Sequence, residues 1–127
     1  MGRKAGAIGF SAHAVHQAVI LTARQHAVRK AAQKATETME INAMSFGPDV
    51  AIVTGSEMFD TISMKTEEGS PFKMTATMGY CNAYRGYIPS KFGFEYTCYE
   101  SDVAWFAPGI AEKMIDTYIE MLKELKD

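Results

Sequence analysis

The run VAIVT, from Val50 to Thr54, most constrains what this chain can fold into. Its residues are apolar or β-branched without polar alternation, which predicts a short buried strand. The turn signal Gly47-Pro48-Asp49 precedes it, and upstream of that turn Met39 to Phe46 alternates roughly as a second strand. Because a buried strand needs other elements packed against it, this run indicates a layered fold.

Helical patterns lie on both sides of these strands. Ser11 to about Thr38 is rich in helix-forming residues and is predicted to be one long helix. Its apolar stripe consists mostly of small residues at spacing four, which suits close packing against a sheet. The stripe contains Val15, Val19, Ala23, Ala27, Ala31 and Ala35. Near the other end, Pro108 is predicted at the first position of a helix that reaches about Leu125. The apolar face of that helix contains Ile110, Met114, Ile115, Tyr118, Ile119, Leu122 and Leu125.

Between the strand Val50 to Thr54 and the final helix, the sequence predicts first a helix and then another strand. Ser56 is predicted to cap a helix that closes at Gly69-Ser70-Pro71. Residues expected on the apolar face of this helix are Met58, Phe59 and Ile62. Lys73 to Tyr80 alternates and predicts a half-buried strand. Its expected inner side chains are Met74, Ala76, Met78 and Tyr80. The order of elements predicts an α/β (α+β) layered fold with a mixed β-sheet flanked by helices, and 127 residues suit a single domain.

Composition argues against several classes of function. The formal charge is -2 and the isoelectric point is near 5.9, whereas nucleic-acid surfaces are basic, so no nucleic-acid partner is predicted. The basic stretch Arg24 to Lys34 is more typical of a solvated helix face. No apolar run of about 18 residues occurs, so no transmembrane segment is predicted. Cys81 and Cys98 are expected to be two free buried thiols, because nothing marks an oxidising compartment. The alternative is a disulfide between them across a hairpin-like loop.

Tyrosine is concentrated in one part of the chain. Five of the six tyrosines lie between Gly79 and Ser101. Each adds an apolar ring and a neutral hydroxyl, so the cluster indicates either a packed aromatic loop or a polar site built from neutral donors. The surrounding stretch, Cys81 to Ala107, shows little regular pattern and is predicted to be a long loop. Loops of this length in a compact domain are often functional.

Glu57 and the histidine pair His13 and His16 are candidate catalytic or metal-binding residues. Glu57 follows the carboxyl end of the predicted buried strand, where α/β folds place their sites, and it falls in the first turn of the predicted helix. The alternative is that it only stabilises the start of that helix. His13 and His16 are spaced to share a helix face and could bind a metal. The alternative is a pair of partly exposed helix histidines, and the intervening residues do not form a zinc-protease motif.

Taken together, four short motifs give the chain a family resemblance. The strand and turn AIVTGSEMF lead into Glu57, and the sequence from Asn82 to Pro89 reads Asn-x-Tyr-x-x-Tyr-Ile-Pro. A Tyr-Glu pair follows at Tyr99-Glu100, and Pro108-Gly109 precedes the final helix. In order and spacing, Val50 to Leu125 resembles the C-terminal part of the catalytic domain of the neutral/alkaline (non-lysosomal) ceramidases.

This resemblance implies a zinc-dependent hydrolase that cleaves an amide (N-acyl) bond, with a lipid such as ceramide as one substrate class. Glu57 and Tyr87 match two of the family's zinc ligands, the others being two histidines. Tyr87 is also counted as a catalytic residue, and Tyr99 matches the tyrosine that stabilises the oxyanion. The implied cofactor is zinc, and the implied partner is a lipid or N-acyl amide substrate.

Two departures from the family pattern affect these expectations. Gly55-Ser56-Glu57 stands where the family has Pro-Gly-Glu. The histidine ligands of the family lie well upstream of the glutamate, so His13 and His16 do not match them. The expectation is therefore a C-terminal portion of a ceramidase-like catalytic domain, whose missing ligands come from an N-terminal half or from a second copy. The alternative is a non-catalytic α/β binding or interaction module that keeps the fold.

Overall fold

The computed structural model describes residues 38–82, 84–96 and 98–127. The long helix predicted from Ser11 and the histidines His13 and His16 lie outside these residues. Within them, helices combine with a small mixed sheet, and the fold is of the α/β kind. None of the helices in the described ranges has the length and hydropathy needed to cross a bilayer.

Three strands form the main sheet, in the order β1-β2-β4. Strand β1, Asn42–Phe46, pairs antiparallel with β2, Val50–Thr54, across the predicted turn. Strand β4, Met74–Met78, pairs with β2 in parallel. The chain between the end of β2 and the start of β4 therefore returns to the other end of the sheet as a crossover connection. The predicted strand Val50 to Thr54 is confirmed residue for residue, because turn and loop residues flank its apolar run on both sides.

Two strands of two residues form a second sheet. Strand β3, Glu57–Met58, pairs in parallel with β5, Tyr87–Ile88. Helix α1, Asp60–Gly69, begins only after β3, and its N-cap is Phe59 with no side-chain cap. The prediction that Ser56 caps this helix is wrong, and Glu57 does not lie in its first turn. The Ser56 hydroxyl is instead bonded to the segment that leads into β5, which keeps the chain extended.

The core lies on one face of the main sheet, beneath α1 and the long helix α4, Ile110–Lys126. Its buried apolar residues are Ala51, Val53, Ile62, Phe72, Ile88, Ala111, Met114, Ile115, Tyr118 and Leu122. Most of the predicted apolar face of α4 is buried, whereas Leu125 is exposed near the end of the chain. Pro108 is not the first helical residue: Gly109 takes a left-handed φ of 98° as the N-cap, and the helix begins at Ile110, two residues after Pro108.

Strand β4 faces the opposite way from the prediction. Thr75 is 7% exposed, whereas Met74 and Met78 are 54% and 47% exposed. The helices cover the sheet face that carries the partners of Thr75 and Thr77, so those threonines point inward. Thr75 tolerates burial because its hydroxyl donates to the Ser70 hydroxyl at 2.6 Å.

The predicted long loop also contains regular structure. Besides β5 it holds α2, Lys91–Glu95, and α3, Tyr99–Val103. Ser90 caps α2 by accepting a hydrogen bond from the Gly93 amide at 3.3 Å. Helical periodicity is read over windows of about 11 residues or more, so helices of five residues leave no readable period. A strand of two residues is likewise too short to show alternation.

Candidate functional site

The parallel pairing of β3 with β5 brings Glu57 and Tyr87 together. The two residues are direct Cα partners although 30 positions separate them in sequence. Residues directly opposite in a ladder place their side chains on the same side of the sheet. Two flanking hydrogen bonds hold this pairing, from the Glu57 amide to the Gly86 carbonyl and from the Phe59 amide to the Ile88 carbonyl, both at 3.3 Å.

Ser56 connects the same two segments through its side chain. Its hydroxyl donates to the Gly86 carbonyl at 2.6 Å and accepts from the Arg85 amide at 2.9 Å. Ser56 is 1% exposed, so water does not compete for these bonds. The side chain immediately before Glu57 therefore fixes the backbone immediately before Tyr87. Sequence reasoning missed this role because Ser56 also has the residue type of a helix cap.

Two tyrosines hold the Glu57 carboxylate. The Tyr80 hydroxyl donates to Oε1 of Glu57, and the Tyr84 hydroxyl donates to Oε2 at 2.8 Å. The two rings are stacked, with centroids 5.6 Å apart and planes 1° from parallel. The sequence predicted Tyr80 as an inner side chain of a strand, whereas its side chain is exposed and binds Glu57. Tyr84 stood in the quoted motif with no role of its own, and the signal for both was their place in the tyrosine-rich stretch between Gly79 and Ser101.

The backbone from Tyr80 to Asn82 is unusual and is held by hydrogen bonds. Tyr80 and Asn82 both have left-handed φ values, 56° and 60°, which are uncommon for residues other than glycine. Hydrogen bonds hold them there: the Tyr80 amide to the Ser56 carbonyl, the Cys81 amide to the Gly55 carbonyl, and the Asn82 amide group to the Thr54 hydroxyl. The surrounding contacts stabilise a conformation that the chain alone disfavours.

Tyr99 completes the cluster from the other side. It is the first residue of α3, and its ring meets that of Tyr87 edge to face, with centroids 6.0 Å apart and planes at 78°. This is a favourable arrangement for two aromatic rings. The structure thus places the three predicted site residues next to one another: Glu57 opposite Tyr87 in the ladder, and Tyr87 in ring contact with Tyr99.

The carboxylate keeps the neighbouring phenols protonated. The hydrogen bond to Glu57 is the main cause that raises the pKa of Tyr80 to about 12, and it also raises the pKa of Tyr84. For Tyr87, loss of hydration is the first cause of a raised pKa and the negative charge of Glu57 is the second. A tyrosine hydroxyl of ordinary pKa is already neutral near neutral pH, and the raised pKa values extend the neutral form to higher pH, because phenolate beside a carboxylate is unfavourable.

A titration should detect this coupling. Because the pKa of Tyr80 is higher in the folded chain than the ordinary value of 10.0, the contact contributes stability fully below pH 10 and loses it as the pH rises towards 12. We expect Glu57→Gln to return the Tyr80 pKa towards 10.0, because the neutral amide no longer disfavours phenolate. The measurement is phenolate ultraviolet absorbance against pH, with Tyr80→Phe identifying the contribution of that residue. Burial also raises the pKa of Tyr118, so one late-titrating tyrosine is expected in every variant. The assignment would be contradicted if the component that disappears in Tyr80→Phe titrated as late in Glu57→Gln as in the wild type.

Metal-binding groups near this cluster are few. Within the described ranges, no group of three or more His, Cys, Asp or Glu side chains could hold a metal ion. Catalytic zinc normally has three protein ligands. Glu57 and a neighbouring phenol fit part of such a ligand set, and the imidazoles would have to come from elsewhere. Cys81 and Cys98 are both free thiols, as predicted, and both are only partly buried.

The chain matches no known protein family, no characterised protein and no solved structure. A functional interpretation therefore rests on the motifs quoted above and on the arrangement around Glu57. That arrangement has three parts: a carboxylate, a set of neutral phenols, and a buried serine that keeps the two segments in register.

Proposed function

We propose that this chain carries part of the active site of a zinc-dependent, ceramidase-like hydrolase that cleaves an amide (N-acyl) bond, with lipid amides such as ceramide as the substrate class. The observation that carries the proposal is the pairing of Glu57 with Tyr87 and the contact of Tyr87 with Tyr99. These are the residues that the motifs single out, and segments far apart in sequence bring them together.

Glu57 and Tyr87 would hold the metal. Bound zinc supplies a water of lowered pKa, near 7, and polarises the carbonyl of the amide. Tyr80 and Tyr84 keep the carboxylate in one orientation. A carboxylate offers about four lone-pair sites, so two phenol hydrogen bonds leave room for a metal. Ligand carboxylates are commonly held by such outer hydrogen bonds.

Tyr99 would act as a hydrogen-bond donor to the oxygen on which negative charge develops. A neutral phenol suits this task because it donates without carrying charge of its own. Its side chain is 67% exposed, so a substrate can reach it. The exposed ring of Trp105 lies near Gly86, beside the same strand, and adds apolar surface for an acyl chain.

The proposal concerns part of a site, since the two histidine ligands of the resembling family have no counterpart among the described residues. Exogenous imidazole can replace missing histidine side chains. The decisive experiment therefore measures zinc affinity by competition with a chelating dye, with and without imidazole. It compares the wild-type chain with Glu57→Gln and Tyr87→Phe.

We expect imidazole to strengthen zinc binding by the wild type, and each substitution to weaken that binding by at least about tenfold, since each removes a direct ligand. Glu95→Gln and Tyr96→Phe are matched controls, because both residues are exposed and lie at the end of α2, not in β3, β5 or α3. Equal zinc affinity in Glu57→Gln and Glu95→Gln would remove the basis for the zinc site.

A second function is favoured by one observation. Both oxygens of Glu57 already accept a phenol hydrogen bond, as expected of a carboxylate that only anchors the tyrosine segment. The chain would then be a non-catalytic α/β binding or interaction module. In that case Glu57→Gln would loosen residues 79–87 in hydrogen exchange, and zinc with imidazole would protect nothing in the wild type.

A further inference from the structure

A pocket of about 310 Å³ opens between α4, the segment that leads into β1, and the loop that joins α3 to α4. We call it the α4 pocket. Its polar lining consists of Thr38, Lys113 and Thr117. Its apolar lining consists of Met39, Ile41, Phe106, Ile110 and Met114. These residues differ from those around Glu57, and the pocket is independent of the zinc site proposed above.

The α4 pocket reaches the hydrophobic core. Met114 is 3% exposed and belongs to that core, and the other four apolar lining residues are partly buried and pack against it. Protein interiors are close-packed and contain few voids larger than a water molecule. A mostly apolar opening with a few polar groups is typical of a small-molecule site, and this volume lies at the lower end of the usual range. The lining therefore indicates a small ligand that is mostly apolar.

The helix contributes both apolar and polar groups to the pocket. Ile110, Lys113, Met114 and Thr117 stand at positions i, i+3, i+4 and i+7, which places them on one face of α4. Met114 lies at the core, whereas Lys113 is exposed. A lysine can lay its methylene stem along an apolar wall and keep its ammonium group in water. Lys113 is thus suited to hold an anionic group at the mouth of the pocket.

Lys113 also gives the pocket its charge. It is the one charged residue among those that line the pocket, and in the part of the chain that the structure describes no ion pair involves it. The adjacent Glu112 uses its carboxylate elsewhere, accepting a hydrogen bond from the Lys91 amide at 3.0 Å. The Thr117 hydroxyl already donates to the Lys113 carbonyl at 2.8 Å. The Lys113 ammonium is therefore the charged donor that a ligand in this pocket meets.

We propose that the α4 pocket binds a linear anionic amphiphile of the medium-chain carboxylate class. The alkyl chain lies against the apolar lining, and the carboxylate accepts a charge-assisted hydrogen bond from the Lys113 ammonium. A volume of 310 Å³ corresponds to roughly ten water-sized groups, which suits octanoate. Met39 and Met114 favour a flexible chain, because methionine adapts its shape readily to its partner.

Titration of the full chain with octanoate tests the proposal, with NMR of isotope-labelled methionine methyl groups as the measurement. We expect saturable shifts of the Met39 and Met114 signals, because both residues line the pocket. Met64 on α1 is 66% exposed and should not shift, which makes it the control for non-specific binding. Hexanoate is shorter by two methylene groups, so it should bind about tenfold more weakly.

Two matched lysine substitutions test the role of charge. Lys113→Gln should weaken octanoate binding about threefold to fivefold, the usual effect of an exposed charge pair, and leave the uncharged octan-1-ol unaffected. Lys123→Gln changes another exposed lysine of α4 and should affect neither ligand. Ile110→Trp fills the pocket and should abolish binding of both. If that variant unfolds, the two lysine variants still decide, because both positions are exposed.

The opposite results overturn the proposal. No shift of Met39 and Met114, or a shift that does not saturate, would mean that the pocket holds no such ligand. An equal shift of Met64 would mean that octanoate binds the surface non-specifically. Equal effects of Lys113→Gln and Lys123→Gln on octanoate, or of Lys113→Gln on octanoate and octan-1-ol, would mean that Lys113 does not select an anion.

Discussion

Replacing Tyr118 with alanine is expected to lower the free energy of unfolding by about 3–5 kcal/mol, the usual cost of deleting a buried aromatic ring. Tyr118 is fully buried at the centre of α4. Its hydroxyl donates to the Thr54 carbonyl at 2.8 Å, where β2 ends. The fit is tight, because a Cβ added at Gly55 would lie 2.5 Å from this hydroxyl. Urea unfolding at equilibrium measures the change.

Tyr118→Phe separates the ring from its hydroxyl. It keeps the ring packing and removes the hydroxyl with its contacts to the Thr54 carbonyl and the Met58 sulfur, so we expect a loss of about 1–2 kcal/mol. If phenylalanine and alanine destabilise equally, the ring contributes little to the core and the expected cavity cost is wrong. The same hydroxyl bond joins the core helix to the strand that leads into Glu57, so Tyr118 also connects core stability to the candidate site.

Replacing Ser56 with alanine is the second substitution expected to lower the free energy of unfolding strongly. The buried hydroxyl donates to the Gly86 carbonyl and accepts from the Arg85 amide, and alanine removes both hydrogen bonds. The Gly86 carbonyl keeps the Glu57 amide as a donor, so we expect a loss of about 1–3 kcal/mol, the cost of removing one buried hydrogen-bond partner. Urea unfolding measures it, and Ser45→Ala on the exposed end of β1 is the matched control, expected within about 0.5 kcal/mol of the wild type.

Ser56→Ala should also act on the candidate site, since the hydroxyl fixes the segment beside Tyr87. Hydrogen exchange at the Glu57 and Phe59 amides should accelerate, because their acceptors lie on that segment. A stability loss like that of Ser45→Ala, with unchanged exchange at these amides, would show that the backbone pairing of β3 with β5 is sufficient without the serine.

Patterns along the chain predicted those elements whose signal is local. Strand β2 followed from five apolar or β-branched residues between turns, and α4 from an apolar face repeated over more than four turns. The predicted start of α1 was wrong. Ser56 has the residue type of a helix cap, but its hydroxyl donates instead to the Gly86 carbonyl, 30 residues away. The prediction of which face of β4 is buried was also wrong. Alternation shows that the two faces of a strand differ, but it does not show which face the helices cover.

For the site, the motifs directed attention to Glu57, Tyr87 and Tyr99, and their roles remain the proposal made above. Only the tertiary structure paired Glu57 with Tyr87, placed Tyr80 and Tyr84 on its carboxylate, and used Ser56 to join the segments. The sequence by itself determined where short-range preferences are strong: apolar runs, turns and amphipathic periods. The hydrogen bonds that build the site join residues 23 to 30 positions apart, and such pairings depend on how the whole chain packs, not on any local preference.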